Sequence, residues 1–278
     1  GGVWRTAAIH DAGGWSAATL TEDLDLSFRA QLRGWQSLFL PAVVVPGELP
    51  PQLAAYRQQQ QRWAKGNAQN LRRLLRPVWR SDWRLSAKLM ATQHLLQYLP
   101  HPLMVILLLL TPLLILNGGL SALPLAPLGI ISLIPPIMYV SSQRIANPEN
   151  TWHNLSAFPA LLLIGTSMMG HNSHAFITGL FERGGTFSRT PKFAQAWQGS
   201  AYALRAGSAV LLDALLLLYA LWAVWAAWTN AHHALLPYLL IYAASFGTAV
   251  VWQLNEQWQL HRQKPQQSHH SQPDQHPV

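Results

Sequence analysis

The sequence predicts a short soluble α/β part followed by an α-helical membrane domain. Half of the 278 residues are hydrophobic and 11% are charged. Arginine and lysine are concentrated in the first 90 residues, and apolar stretches long enough to cross a bilayer follow them. Together these observations separate a basic N-terminal part from a membrane-embedded remainder.

Residues 1–50 are expected to form the soluble part. A helix is predicted with Thr19 or Thr21 as its N-terminal cap, because Glu22 and Asp23 would then lie in its first turn, where acidic side chains are favourable. Gly34 would end this helix. The next stretch, SLFLPAVVVP at residues 37–46, is rich in β-branched residues and contains prolines, so it predicts a short buried strand.

Residues 51–93 are predicted to form amphipathic interfacial helices, because spaced apolar residues alternate there with glutamine and arginine. The membrane domain is expected at residues 94–254. Four apolar stretches within it are candidate crossings, at residues 94–116, 123–142, 207–228 and 234–254. Residues 156–170 are apolar but short, so we expect an interfacial or re-entrant segment there.

The basic residues in the loops favour four crossings over five. With both chain ends cytoplasmic, the short external loops contain no Lys or Arg, whereas a fifth crossing would place Arg183, Arg189 and Lys192 outside. We therefore expect an integral protein of the plasma (inner) membrane, with its catalytic side and C-terminus in the cytoplasm. Residues 255–278 are expected to be a disordered polar tail.

The net charge of +8 is compatible with nucleic acid, an anionic membrane surface or a phosphorylated substrate as partner. The apolar stretches favour the lipid bilayer and make nucleic acid the least expected, so no nucleic-acid partner is predicted. The chain has no cysteine, which excludes disulfides and thiolate metal ligands.

The acidic run Thr21-Glu22-Asp23 has two interpretations. Glu22 and Asp23 could only complement the dipole of the helix that they begin. Alternatively, a carboxylate at a helix start beside the membrane could deprotonate a hydroxyl nucleophile. Asp25 is expected to do no more than favour the helix.

Two further segments could carry chemistry. The run RQQQQRWAKG at residues 57–66 could be a solvated helix face, or Arg62 and Trp63 could bind a sugar and a diphosphate. The run ERGGTFSRTPKF at residues 182–193 could be an ordinary positively charged cytoplasmic loop, or a mobile loop whose basic residues bind phosphate.

The three segments TED at 21–23, QQQRW at 59–63 and FSRTPK at 187–192 resemble, in this order, motifs of the processive family 2 glycosyltransferases. These are the cellulose-synthase-like and mannan-synthase-like membrane enzymes. The opening GGVWRTAAIHDAGGW is similar to the acceptor-side segment that precedes TED in that family. The resemblance extends over most of residues 1–254 and implies that the α/β part is the remnant of a GT-A-type domain.

The resemblance implies catalytic and binding roles for the first two motifs. Asp23, in Thr21-Glu22-Asp23, would be the catalytic base that removes the proton of the acceptor sugar hydroxyl. The second motif would lie at the acceptor end and the nucleotide diphosphate, with Trp63 stacking on the terminal sugar; its residues are Gln59, Gln60, Arg62 and Trp63.

The resemblance also implies a gating loop at residues 182–200 that covers the nucleotide sugar. Phe187, Thr190 and Lys192 match the motif of that loop, while Arg189 replaces the usual valine. The family binds Mg²⁺ or Mn²⁺ through an earlier D-x-D motif. Because the only D-x-D here is Asp23-Leu24-Asp25, we expect the chain to be a fragment that lacks the metal ligands and the donor-binding half.

The predicted function is inverting, processive transfer of sugar from a nucleotide-sugar donor, a UDP- or GDP-sugar, to a growing β-linked polysaccharide. The product would be threaded through the membrane helices. One alternative is a non-processive transferase that glycosylates a lipid carrier. The other is a non-catalytic membrane transport subunit, which would need neither an acidic base nor an Arg–Trp pair beside the membrane.

Overall fold

The computed structural model describes residues 2–119, 133–186 and 207–262, and these residues are organised as a sequence of helices. In chain order the α-helices are α1 (Thr6–Asp11), α2 (Glu22–Leu32), α3 (Leu53–Arg80), α4 (Leu85–Leu95), α5 (Pro100–Leu116), α6 (Ile134–Ala146), α7 (Thr151–Leu155), α8 (Phe158–Ser167), α9 (Met169–Phe181), α10 (Ala209–Thr229) and α11 (Leu236–Arg262). Two short 3-10 turns, Pro148–Asn150 and His233–Leu235, precede α7 and α11.

The predicted helix is confirmed as α2, which begins after Thr21 rather than Thr19, although the Thr21 side chain forms no capping hydrogen bond. Glu22, Asp23 and Asp25 all lie in its first turn, and the backbone of Gly34 is left-handed, with a φ of 92°, just after its end. Leu26 and Phe28 are buried, which places the apolar face of α2 against α1 and α3.

The strand predicted at residues 37–46 is wrong, because these residues form no strand in the structure. Their apolar side chains point into solvent: Leu38 is 83% exposed, Phe39 85% and Val44 83%. A strand is stable only when its backbone pairs with another strand, and none occurs in the described parts of the chain. The α/β prediction therefore finds no support in these residues, which are helical or irregular.

Helix α3 is the central element of the N-terminal half. It spans 28 residues and packs against α2, α4 and α9, burying Ala64, Ala68 and Leu74. Its closest neighbour is α9, where a Cβ at Gly179 would overlap the backbone carbonyl of Lys65. A glycine is therefore required for the two helices to approach this closely.

The predicted crossing at 94–116 is bent. Helices α4 and α5 together are apolar enough to span a membrane, but their axes differ by 61° across residues 96–99. Pro100 and Pro102 lie in the first turn of α5, where proline is tolerated because no backbone N–H is needed there. The structure thus ends one helix at Leu95 and starts another at Pro100.

The predicted crossings at 207–228 and 234–254 coincide with helices long and apolar enough to cross a bilayer. These are α10, with mean hydropathy 2.1, and residues His233–Arg262, with mean hydropathy 1.8. They pack against each other through Ala220, Ala223 and Ala227 of α10 and the large side chains of α11. Small residues permit this close contact of membrane helices.

Four crossings are not confirmed. The described residues contain two spanning helices, or three if α4 and α5 form one bent span. Of the crossing predicted at 123–142, residues 123–132 lie outside the described residues, and α6 has only 13 residues. The short apolar segment at 156–170 contains α8, whose 10 residues extend roughly 15 Å, about half of a hydrocarbon core.

Candidate active site

Thr21 is fixed against the middle of α3. Its side chain is 7% exposed, and its hydroxyl oxygen accepts a hydrogen bond from the Asn70 side-chain amide at 2.8 Å. Gly66, one turn earlier on α3, has no side chain, and a Cβ there would lie 2.6 Å from the Thr21 hydroxyl oxygen. The missing side chain and the hydrogen bond together set the position of the turn that begins α2.

Asp23 follows this turn with its carboxylate exposed to solvent. One oxygen, Oδ1, accepts a hydrogen bond from the backbone N–H of Leu24 at 2.8 Å. Glu22 is half-buried beside it. The exposed carboxylate is accessible to a ligand, as a general base must be.

Asp25 has a structural role that exceeds the one expected from the sequence. It is fully buried and forms ion pairs with Arg29 at 2.8 Å and Arg73 at 3.3 Å. Arg29 also donates to the backbone carbonyls of Ala12 and Gly14, after α1. The expectation that Asp25 only favours the helix start was wrong, because the residue joins α2 and α3 through buried charge.

The QQQRW residues occupy three sides of α3. Trp63 is 38% exposed and lies one turn before Gly66 and two turns before Asn70, on the side of the helix that meets Thr21. Gln59 lies one turn before Trp63 on the same side. Gln60 lies on another side, where its Oε1 accepts a hydrogen bond from the Tyr98 hydroxyl at 3.1 Å. Arg62, four residues before Gly66, lies between the side that meets Thr21 and the side that meets α9.

An open cleft of about 470 Å³ lies between α3, α9 and the residues that precede α2. Its lining includes Leu20, Arg62, Lys65, His174, Glu182 and Gly185. The cleft brings Arg62 beside the segment that leads into Thr21-Glu22-Asp23. Lys65 on this wall is paired with Glu182, and the Arg62 guanidinium has the planar geometry that binds a phosphate group.

The far side of the cleft is attached to α3 by charge and hydrogen bonds. The Lys65 ammonium forms an ion pair with Glu182, and this partner lowers the pKa of the Glu182 carboxyl below its ordinary value. Arg72 donates to the backbone carbonyl of Leu180 at 2.9 Å. The end of α9 and the residue that follows it, Glu182, are thus held close to α3.

The predicted gating-loop residues Phe187, Thr190 and Lys192 lie outside the described residues, as does most of the 182–200 segment. The described residues contain no group of three or more His, Asp or Glu side chains that could hold a metal ion.

Sequence reasoning missed a buried polar cluster that connects α3 to the spanning helices. Arg57 donates to Asp213 of α10 at 2.8 Å and to Gln253 of α11 at 2.7 Å. His171 of α9 lies 3.1 Å from the other Asp213 oxygen. The signal for this cluster was Asp213 itself, an acid within an apolar helix, which requires a partner.

The contact of Gly66 with Thr21 was also not predicted. Glycine inside a helix costs about 1 kcal/mol relative to alanine, so its presence in the middle of α3 indicates a close contact. The sequence does not show which residue makes that contact.

The chain belongs to glycosyl transferase family group 2, whose family model matches residues 1–147, just over half of its length. The resemblance inferred from the three motifs is confirmed at this level. No solved structure matches the chain.

Several similar plant proteins are named as glucomannan mannosyltransferases. Glucomannan 4-beta-mannosyltransferase 2 of Arabidopsis thaliana is 46% identical over 80 residues, which is 29% of this chain and 15% of that protein. Probable glucomannan 4-beta-mannosyltransferase 7 of Oryza sativa subsp. japonica is 33% identical over 189 residues, 66% of this chain and 31% of that protein. The matched region spans less than a third of either relative.

Proposed function

We propose that the chain takes part in transferring hexosyl units from a nucleotide-sugar donor to a growing β-linked polysaccharide of the mannan type. The family supports a glycosyl transfer, and the names of the plant relatives support a mannosyl unit and a glucomannan product. The observation that carries the proposal is the docking of Thr21 on α3 through Gly66 and Asn70. This contact joins the run Thr21-Glu22-Asp23 to α3, the helix that bears Arg62 and Trp63.

In the proposed reaction, Asp23 accepts the proton of the acceptor hydroxyl while its oxygen attacks the anomeric carbon of the donor sugar. The bond from that carbon to the diphosphate oxygen breaks, and the nucleoside diphosphate leaves with the bonding electrons. One such displacement inverts the configuration at the anomeric carbon. Arg62, at the cleft, stabilises the charge of the diphosphate through two parallel hydrogen bonds.

The acceptor would lie along the Thr21 side of α3. Trp63 is half-exposed there, and an indole face packs well against the apolar face of a sugar ring. Gln59, on the same side, offers an amide to the sugar hydroxyls. Gln60 accepts a hydrogen bond from the Tyr98 hydroxyl through its Oε1, and its amide nitrogen is proposed as a further donor to the acceptor or the diphosphate.

Processive elongation and export of the polymer are further parts of the proposal. The apolar helices α10 and α11 support an integral membrane protein, and their attachment to α3 through Arg57 supports a site directly beside the bilayer. We propose that this is the plasma (inner) membrane and that the site faces the cytoplasm. Mg²⁺ or Mn²⁺ stays an expectation of the resemblance.

The test is a product assay with membranes from cells that express the complete coding sequence. The membranes are incubated separately with radiolabelled GDP-mannose and UDP-glucose, and label is measured in ethanol-insoluble polymer and in the organic-solvent extract. We expect polymer that endo-β-mannanase degrades. Label confined to the organic extract would instead support transfer to a lipid carrier, and no label above vector membranes would contradict glycosyl transfer.

A further inference from the structure

We propose that Gln69 is a positioning residue. It would hold the backbone before Thr21-Glu22-Asp23 and residues 182–186, which follow α9, at fixed distances from Arg62. Its side-chain amide binds both segments at once. Its Oε1 accepts a hydrogen bond from the backbone N–H of Leu20 at 2.9 Å, and its Nε2 donates to the backbone carbonyl of Gly184 at 2.7 Å. Gln69 is 2% exposed, so water does not compete for these bonds.

The two segments that Gln69 joins also contact each other. The backbone N–H of Gly184 donates to the carbonyl of Ala18 at 3.1 Å. A Cβ added to Gly185 would lie 3.4 Å from the side chain of Leu20. Residues 18–20 and residues 184–185 are therefore neighbouring segments, and the Gln69 side chain binds both of them to α3.

The attachment bears on the candidate site because all three parts line one cleft. Leu20 and Gly185 lie on its walls, and Arg62 and Lys65 lie on the α3 side, seven and four residues before Gln69. Positions separated by four and seven residues share one helix face. The bonds of Gln69 consequently set the distance of both walls from Arg62.

This inference rests on the proposed function, since the segment ending at Leu20 leads directly to Asp23. If Gln69 positions this turn, its loss lowers the turnover number more than it raises the KM for the donor, because Arg62 remains in place. A misplacement of about 1 Å at a reacting group lowers the rate by roughly a hundredfold.

Replacing Gln69 by glutamate removes one of its two hydrogen bonds and keeps the other. A glutamate carboxylate still accepts from the Leu20 N–H, but it places a negative oxygen against the Gly184 carbonyl. When the carboxyl is protonated, it can donate to that carbonyl again. The Gln69→Glu variant therefore regains activity as pH falls, relative to wild type, whereas Gln69→Leu, which has neither group, does not.

Hydrogen–deuterium exchange measures the attachment without any activity assay. The complete protein is purified in detergent as wild type, Gln69→Leu, Gln69→Glu and the control Gln93→Leu, which alters an exposed glutamine of α4. We expect faster exchange in both residues 18–21 and residues 182–186 of Gln69→Leu, but chiefly in residues 182–186 of Gln69→Glu at neutral pH, with α10 and α11 unchanged in both. Acceleration in only one of the two segments of Gln69→Leu, or throughout the protein in either variant, overturns the proposal.

Activity then separates this inference from the function on which it rests. With an active wild type, Gln69→Leu should lower the turnover number roughly tenfold to a hundredfold, and Gln69→Glu should show the pH-dependent recovery. If the wild type transfers sugar but both variants match Gln93→Leu in exchange and turnover, the inference fails. If exchange changes as expected while the wild type transfers no sugar, the attachment stands and the proposed function fails.

Discussion

The guanidinium of Arg57 on α3 donates a hydrogen bond to the carboxylate of Asp213 on α10 at 2.8 Å, with both side chains buried. Gln253 of α11 donates to the same carboxylate oxygen at 2.6 Å. The pair therefore fastens the helix that carries QQQRW to the two helices best suited to span the membrane.

Removing one member of this pair should destabilise the protein strongly. We expect Asp213→Leu to lower the free energy of unfolding by roughly 3–5 kcal/mol, because it leaves the Arg57 charge buried without its partner. Thermal unfolding in detergent measures the loss. The double variant Arg57→Leu with Asp213→Leu removes both charges and should be more stable than Asp213→Leu alone; a double variant that is less stable contradicts this account.

The contact between Thr21 and α3 predicts that Gly66 tolerates no side chain. In Gly66→Ala the new Cβ would lie 2.6 Å from the Thr21 hydroxyl oxygen and 2.8 Å from its backbone nitrogen, so the turn must move. We expect a loss of about 1–3 kcal/mol in unfolding free energy, together with lower activity. The control is Gly165→Ala on α8, where nothing lies within 4 Å, and a loss of similar size there would refute the steric explanation.

The Lys65–Glu182 contact predicts a dependence on pH. The hydrogen bond and charge of Lys65 lower the pKa of Glu182 below its ordinary value of 4.5. The contact is therefore fully formed above that ordinary value and is lost as pH falls through the lowered one. Because Glu182 is exposed, salt should weaken the contact as well.

Hydrogen exchange of residues 182–186, corrected for intrinsic rates, tests this dependence. Glu182→Gln should exchange faster than wild type at neutral pH, and the difference should disappear in acid. Glu149→Gln, at an exposed position after α6, should match wild type throughout. A difference between Glu182→Gln and wild type that persists in acid would exclude the ion pair as its cause.

Replacing Trp63 should weaken binding of the acceptor and leave binding of the nucleotide-sugar donor unchanged. Loss of the indole in Trp63→Ala should raise the KM for a manno-oligosaccharide acceptor by roughly fivefold to tenfold, the range expected for loss of one aromatic contact. The KM for the nucleotide sugar should stay unchanged. Trp152→Ala removes a tryptophan that is 78% exposed on α7, and an equal effect there would show that the change is not specific to Trp63.

Local patterns in the sequence predicted the helices well and their partners poorly. The acidic first turn and Gly34 bounded α2, and apolar length predicted α10 and α11. The failed strand at 37–46 has the right composition, but composition does not supply the second strand that its backbone needs. The bend between α4 and α5 was also missed, although Pro100 marks its position.

In the candidate site, too, the sequence predicted the local features but not the contacts between distant residues. The motifs placed Asp23, Arg62 and Trp63 on the correct helices. The residues that hold those helices together were not predicted, because their partners are remote: Gln69 contacts Gly184 across 115 positions, and Arg57 contacts Asp213 across 156. Such pairings arise only when the chain folds.

The assignment of Asp23 as the base is tested most directly by Asp23→Asn in the complete protein, because asparagine keeps the size of the side chain but accepts no proton. Polymer synthesis from the active nucleotide sugar is compared with wild type and with Asp82→Asn, an exposed acid between α3 and α4. We expect synthesis to fall roughly a hundredfold or more while membrane insertion and unfolding temperature stay at wild-type values. Synthesis at the wild-type rate in Asp23→Asn would contradict the account.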